Sequence, residues 1–554
     1  MNSTQPEANA VAVKDGKIFD VGMFSRIISE LTDYVVDQRF EKNIIVPGFI
    51  EAHMHPQVTG FLWQYLYVGY YDRHDPNGNL IVGCKTKQQV LERIAKAVEQ
   101  KRDKNGWIIA WGYQSEFYGH EPLVVDELDP ISRHYKVMVE NANMHALYVN
   151  SAVLEEIGID TDTEIPGVSL FEGKFTGELL ELQAMRLALA HLPEITIKDM
   201  CNITRAASRL AHRVGVTTMV DAACGLAFLT HGLEAYQHEV PKSDFPQRVV
   251  LFPINGLVLN KGLDYIQELR KKDTAKLSVD AVKFLTDGSL QCHTAHLQWP
   301  FYHHCGCNGM ENISIEELKK QWLMFHEAGL RVAVHVNGSQ AIEQALQASK
   351  YVLDIYPRFD HRHSFEHTQM ATENQLERMA ALGVVSNFFI NHIYYWGDTH
   401  IKNLGLTRAQ NLNPLQSALR HGVRFSVHSD ASVTPVDPLF SMWVATNRIS
   451  ASGNVLGKHQ CISVYEALKA VTLDAAYLLH KDNVLGSIEI GKYADFTILD
   501  KNPLEVNKKT IKDIKVKATV LGGKVFPVHV PGSWRYLRLN NACKKLLQQY
   551  QFSL

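Results

Sequence analysis

The chain has no long apolar run, no block of charge of one sign and no low-complexity linker. Its apolar stretches fall short of the roughly 18 residues that a bilayer span takes, so no membrane partner is expected. Lys and Arg number 56 against 59 Asp and Glu, a net charge of −3, so nothing argues for nucleic acid or an anionic bilayer as the main partner. The opening "MNSTQPEANAVAVKDG" has neither the basic start nor the apolar centre of a secretory signal, and points to a cytoplasmic protein. Cysteine is sparse: Cys84, Cys201, Cys224, Cys292, Cys305, Cys307, Cys461 and Cys543 are scattered over 554 residues and read as mostly reduced thiols. The tightest pair, in "FYHHCGCNG", stands beside His303 and His304. It reads as a metal site or as a polar loop, since no second Cys/His pair with zinc-finger spacing accompanies it.

What is present is length and apolar content. With 554 residues, 46% hydrophobic and 21% charged, this is a globular protein too long for one ordinary domain. Short apolar runs closing on a polar residue recur: "GFIEAHMH" (48–55), "GVTTMVDAA" (215–223), "RVVLFPIN" (248–255), "DAVKFLTDG" (280–288), "LRVAVHVNG" (330–338), "RHSFEHT" (362–368), "GVVSNFF" (383–389) and "VRFSVHSD" (423–430). Several follow a helical stretch closed by glycine, as in "EELKKQWLMFHEAGLRVAVHV" and "ENQLERMAALGVVSNF". Helix, glycine, buried strand, eight times over, predicts an α/β fold: a TIM (β/α)8 barrel over 48–485.

Between the first two strands about 150 residues intervene, far beyond an ordinary βα loop. Strand-like pieces there, "GWIIAWGY" and "YKVMVENANMHALYVNS", predict an inserted subdomain (60–205) over the barrel mouth. Alternation and Gly turns in "NAVAVKDGKIFDVG", "GSIEIGKYADFTILDKNPL" and "VKATVLGGKVF" predict a small β-sandwich made from both chain ends, 1–47 and 486–554 with a C-terminal tail.

Residues that do chemistry in a TIM barrel lie at the C-terminal ends of strands, and His53, His55, Lys283, Asp287, His335, His367 and Asp430 all fall there. With 26 His in the chain, roughly one His-x-His pair is expected by chance. Context therefore decides whether His53 and His55 in "NIIVPGFIEAHMHP" bind metal or end a buried strand. Alternate strand residues share a face, so both can aim inward, joined by His335, His367 and Asp430. Such ligands suit Zn²⁺, with other divalent ions open. The second pair, "HRH" at 361–363, reads as surface or structural. Lys283 in a buried strand implies a lowered pKa, a partner or a modification: a carbamate bridging two ions, or an ion pair with Asp287. The aromatic "GFLWQYLYVGYY" (60–71), Trp63 included, reads as a substrate wall or as core.

The motifs "VPGFIEAHMH", "VKFLTDGSL", "VAVHVNGSQAI", "EHTQM", "HSDASVTPVDPLFSM" and "GSIEIGKYADFTILDKNP", in that order, resemble the amidohydrolase superfamily, in the branch of the N-substituted formamide deformylases. The resemblance implies metal ligation by His53, His55, Lys283, His335, His367 and Asp430, with Asp430 also handling protons. It implies one or two divalent ions, two if Lys283 is carboxylated, and hydrolysis of a C–N bond by metal-bound hydroxide. The expected substrate is a small-molecule amide of N-acyl or N-formyl amine type; a homodimer is left open. A mononuclear deaminase-like site, an ester or lactone hydrolase and a non-catalytic scaffold are the alternatives. His145, in "NMHALYVNS", is a substrate contact or a satisfied histidine of the insertion. His428 stands where the family commonly has Gly, and narrows the pocket, contacts substrate or packs.

Overall fold

The computed structural model describes residues 7–101, 106–159, 165–226, 228–303 and 305–528. The eight expected barrel segments are strands: β1 (Phe49–Met54), β2 (Val216–Cys224), β3 (Arg248–Pro253), β4 (Ala281–Leu285), β5 (Arg331–Val336), β6 (Ser364–His367), β7 (Val385–Phe388) and β8 (Phe425–Val427). β1, β2 and β3 pair in parallel, as do β4 through β8 in order. The short strand Leu277–Val279 continues the first sheet, and an Ile254–Lys283 bridge joins the two. The ring closes where the Ser429 N–H donates to Glu51 (2.8 Å) and the His55 N–H to the Ala431 carbonyl (2.7 Å). The fold is a TIM barrel, and its strands read as unbroken apolar runs because both faces are covered.

Local chemistry sets the rhythm. In the helix Glu373–Leu382, Thr372 and Gln375 form a reciprocal N-terminal cap, and Gly383 (φ 70°) closes the C-terminus in the left-handed conformation that leads into β7. At the barrel floor Arg331 pairs with Asp280 (2.7 Å) and lies 4.9 Å over the Phe252 ring. The "HRH" histidines are buried there, His361 2% and His363 0% exposed, which excludes the surface alternative and leaves the structural one. His363 Nδ1 accepts the Val332 N–H (3.0 Å) and its Nε2 meets His326 Nδ1 (2.8 Å), while His361 Nε2 donates to the Leu382 carbonyl (2.8 Å).

The chain ends supply a hairpin (Ala10–Lys14, Lys17–Gly22) and an antiparallel sheet of Ile44–Pro47, Phe496–Leu499, Val516–Leu521 and Lys524–Pro527. The two share a core of Ile18, Phe496, Ile498 and Val520. Arg248 of β3 ties this unit to the barrel through Asp495 (2.6 Å), with its guanidinium 3.9 Å from the Tyr493 ring. After β1, six strands from Leu66–Tyr67 to Lys174–Leu180 form one mixed sheet. A separate small hairpin of the insertion, Arg73–His74 with Leu80–Ile81, meets the barrel mouth: the Arg73 guanidinium donates to the Ser432 and Val433 carbonyls, both at 2.7 Å.

Among the described residues no helix is long and apolar enough to cross a membrane. The expectation for "FYHHCGCNG" needs correction: Cys305 and Cys307 are joined in a disulfide, their Cα atoms 5.2 Å apart across Gly306 at φ 62°. A turn that brings two thiols two residues apart together satisfies them covalently instead of leaving them for a metal. His304, Cys543 and the tail from 529 lie outside the described residues.

Candidate active site

β1 carries one extra residue opposite β2, between the Glu51–Met219 and Met54–Asp221 pairs. This bulge changes the strand's phase: Ile50 and Ala52 join the inner core with Val220 and Phe252, and His53 still faces the same interior. At the end of β6, Glu366 occupies the interior and His367 turns to φ 72°, while Asp430 beyond β8 sits at φ 52°. Backbone held in this sparsely populated region is typical of sites where geometry serves chemistry.

The structure brings most of the expected residues together. His53 Nε2 lies 3.5 Å and His55 Nε2 3.2 Å from Asp430 Oδ1, with His367 Nδ1 3.7 Å from Oδ2. Lys283 Nζ is 3.4 Å from His53 Nε2. The His335 ring centroid is 4.4 Å from that of His367, and His335 Nε2 stands 3.2 Å from the Gly288 carbonyl. His428 is stacked between His53 (4.6 Å) and Phe389 (5.0 Å), with neither ring nitrogen in a well-formed hydrogen bond. His145 pairs with Glu181 (2.9 Å), its ring 6.3 Å from that of His335. Trp63 is the exception: its ring contacts are Tyr67 (5.8 Å) and Trp111 (5.0 Å), in the apolar cluster of the insertion.

Burial sets the charge states. Desolvation, reinforced by Lys283, holds His53 and His335 well below the ordinary histidine range; for His367 desolvation is reinforced first by His335. Lys283 is lowered to about 8 by burial, against the pull of Glu366 and Asp430. Burial alone would raise Asp430, but His55, His428 and Lys283 bring it down to about 2. Neutral imidazoles around an ionised carboxylate are the protonation states that metal ligands need.

The donor set fits a divalent cation. Ligand atoms of His53, His367 and Asp430 all lie within 4.8 Å of one another, and among the described residues buried His367 Nδ1 has no hydrogen-bond partner.

Two carboxylates support the site: Glu366, not singled out from sequence, and Asp287, which reads from sequence as a strand-end residue and a partner for Lys283. Glu366, fully buried, accepts from His53 Nδ1 (2.6 Å), the Ser364 hydroxyl (2.5 Å) and Asn387 Nδ2 (2.9 Å). The signal was a glutamate inside an apolar strand, "SFEHT", where an unpaired charge is costly. Asp287 does not serve Lys283: it accepts the backbone N–H groups of Asn337 (3.0 Å), Gly338 (2.8 Å) and His296 (3.0 Å), tying the β4 loop to the helix after β5.

The model of the amidohydrolase family matches residues 42–527, the whole barrel and the satellite's antiparallel sheet. The chain belongs to the amidohydrolase family. It is thus a hydrolase of carbon–nitrogen bonds other than peptide bonds. Protein LONG AFTER FAR-RED 3 of Arabidopsis thaliana is 28% identical over 94% of this chain and 89% of its own. The N-substituted formamide deformylase of Arthrobacter pascens is 25% identical over 93% of this amidohydrolase and 94% of its own length. Among solved structures, an uncharacterized metal-dependent hydrolase from Pyrococcus horikoshii OT3 superposes with a TM-score of 0.69 at 20% identity, over 90% of this chain and 94% of that one, a likeness of fold.

Proposed function

We propose that this amidohydrolase is metal-dependent and cleaves the C–N bond of a small-molecule amide of N-acyl or N-formyl amine type. The observation that carries the reading is the convergence of four imidazoles, a buried lysine and an ionised aspartate at the ends of β1, β4, β5, β6 and β8 in a member of this family. His53, His55, His335, His367 and Asp430 would hold divalent cations, zinc first among them, with Lys283 as a bridging carbamate for a second ion. A cation bound there supplies Lewis acidity toward a carbonyl oxygen and brings the pKa of water from 15.7 to about 7.

The chain's own residues do the rest. Neutral Lys283 can add carbon dioxide through Nζ, releasing one proton and gaining one negative charge. Asp430, ionised and 10% exposed at its side chain, can take the proton of the attacking water and return it to the leaving amine. Glu366 holds the Nδ1 proton of His53 and so directs Nε2 toward the site. His145 and His428 remain substrate-side proposals, His145 favoured by its place between Glu181 and His335. A one-ion site is the second reading, favoured by the compact His53, His367, Asp430 triad. The domain limits stated from the sequence belong to the same proposal. So does a cytoplasmic location, for which the unpaired Cys84, Cys201, Cys224, Cys292 and Cys461 speak and the Cys305–Cys307 disulfide does not.

An amide panel assayed with the metal-loaded parent and His53→Ala tests the reading. Turnover by the parent and loss of both metal and turnover in the variant are expected; full activity in His53→Ala would overturn it.

A further inference from the structure

On the insertion side of the mouth, His145 is one corner of a polar region whose other members the hydrolytic reading leaves unused. Asn141 Oδ1 accepts the Asn143 N–H (3.2 Å), and Asn143 Oδ1 accepts the His145 N–H (2.8 Å). Asn141 Nδ2 donates to the Tyr148 hydroxyl (3.0 Å), and Tyr148 stands opposite Glu178 in the sheet. Tyr113, opposite Asn141, leads directly into Gln114 and Glu116. Asn143 Nδ2 reaches Cys292 of the loop after β4 (2.6 Å), and His145 closes the circuit at Glu181 (2.9 Å).

Half-buried Glu116, Glu178 and Glu181 thus border one region, with His145 as the basic group bonded to Glu181. Among the described residues Glu178 accepts from the Ser169 hydroxyl (3.0 Å), and Glu116 from the Gln114 amide, the Ser115 hydroxyl (3.3 Å) and its own backbone N–H, neutral donors that bring neither carboxylate a counter-charge. Burial pushes both carboxyls up, and the charge of Glu178 adds to the effect at Glu116. In addition, Gln114 is 0% exposed, and while its Nε2 donates to Glu116 its Oε1 has no hydrogen-bond partner among the described residues. A buried amide oxygen without a donor, set among under-compensated carboxylates, is a place short of donors and of positive charge.

We propose that this region binds an organic cation, an ammonium or guanidinium carried on the substrate a few bonds from the scissile amide; that placement rests on the amide-hydrolase reading. An ammonium brings three donors and one positive charge, the two things the region lacks. A metal ion fits less well. Among the described residues, the groups whose ligand atoms lie within 4.8 Å of one another are His53, His367, Asp430 and Cys201, His238, Glu239, and neither includes a glutamate of this region. Carboxylates spread more widely than one ion's shell suit a larger group on a flexible stem.

Calorimetric titration of the full-length protein with 1,4-diaminobutane, and with 1,4-butanediol as its uncharged counterpart, tests the proposal. Saturable binding of the diamine alone is expected, weakened tenfold or more in Glu116→Gln/Glu178→Gln and severalfold in Glu178→Gln, which serves if the double variant melts early. Equal binding of the diol, absence of diamine binding, or unchanged affinity in both variants would overturn it. Turnover of neutral amides is the separate readout. A protein that hydrolyses them but ignores the diamine loses this inference and keeps the hydrolytic reading, and one that binds the diamine but hydrolyses neither neutral nor ammonium-bearing amides does the opposite.

Discussion

Replacing Glu366 by Gln removes a charge from a fully buried position while keeping the side chain's shape. The carboxylate takes the His53 Nδ1 proton at 2.6 Å, which leaves Nε2 as the ligand atom. A hydrogen bond to a charged group contributes about 1.5–3 kcal/mol, equivalent to roughly 10- to 150-fold in an equilibrium constant. Gln keeps one acceptor oxygen for Nδ1 and loses only the charge, so the lower part of that range applies: cation affinity should fall roughly 10- to 40-fold, within the span seen when partners of metal-bound histidines are changed. The assay is competition for Zn²⁺ between a chromophoric chelator and the apo protein, parent and variant side by side, with melting temperature as the check on folding. A change in affinity below about twofold refutes the argument that Glu366 orients His53.

Three further outcomes follow from the same geometry. Lys283→Ala should lower bound metal from two ions to one and cut turnover by about 100-fold or more; parent metal content and rate would remove the carbamate bridge. His361 is held down to about 4 by burial, below its unfolded value of 6.5. The unfolded chain therefore binds the extra proton first, and stability present above pH 6.5 is lost as pH falls toward 4, by about 2 kcal/mol at pH 5. Urea midpoints at pH 7 and pH 5 should show that loss, and a smaller one in His361→Asn; equal slopes would count against it. Arg248→Met strands Asp495 in a buried pair and should cost about 3–5 kcal/mol, measured by denaturant unfolding, with a loss under about 1 kcal/mol contradicting the account.

The barrel was legible because strands covered on both faces read as apolar runs, and because chemistry gathers at their C-terminal ends. The phase of β1 was not: strand parity gave His53 and His55 a common face, but the bulge between Glu51 and Met54 that aims them leaves no mark in "GFIEAHMH". Glu366 was passed over because its role is visible only when β1 and β6, far apart in sequence, are brought side by side. His361 and His363 read ambiguously since a neutral imidazole is as much at home in a core as on a surface, and only their partners at Leu382 and Val332 decide it. Trp63 and the Cys305–Cys307 pair each carried two readings for a related reason: local composition names what a residue can do, and only tertiary contacts, such as the packing of Trp63 on Trp111 and the disulfide, narrow the choice.

The measurement that tests the central claim most directly is titration of the metal-free protein with a divalent cation while amide turnover is followed. Turnover should be absent at the start, rise in proportion to added ion, saturate at two equivalents per chain or at one for the single-ion reading, and fail to appear in Asp430→Asn. Amide hydrolysis at the parent rate by protein stripped of metal would contradict the account.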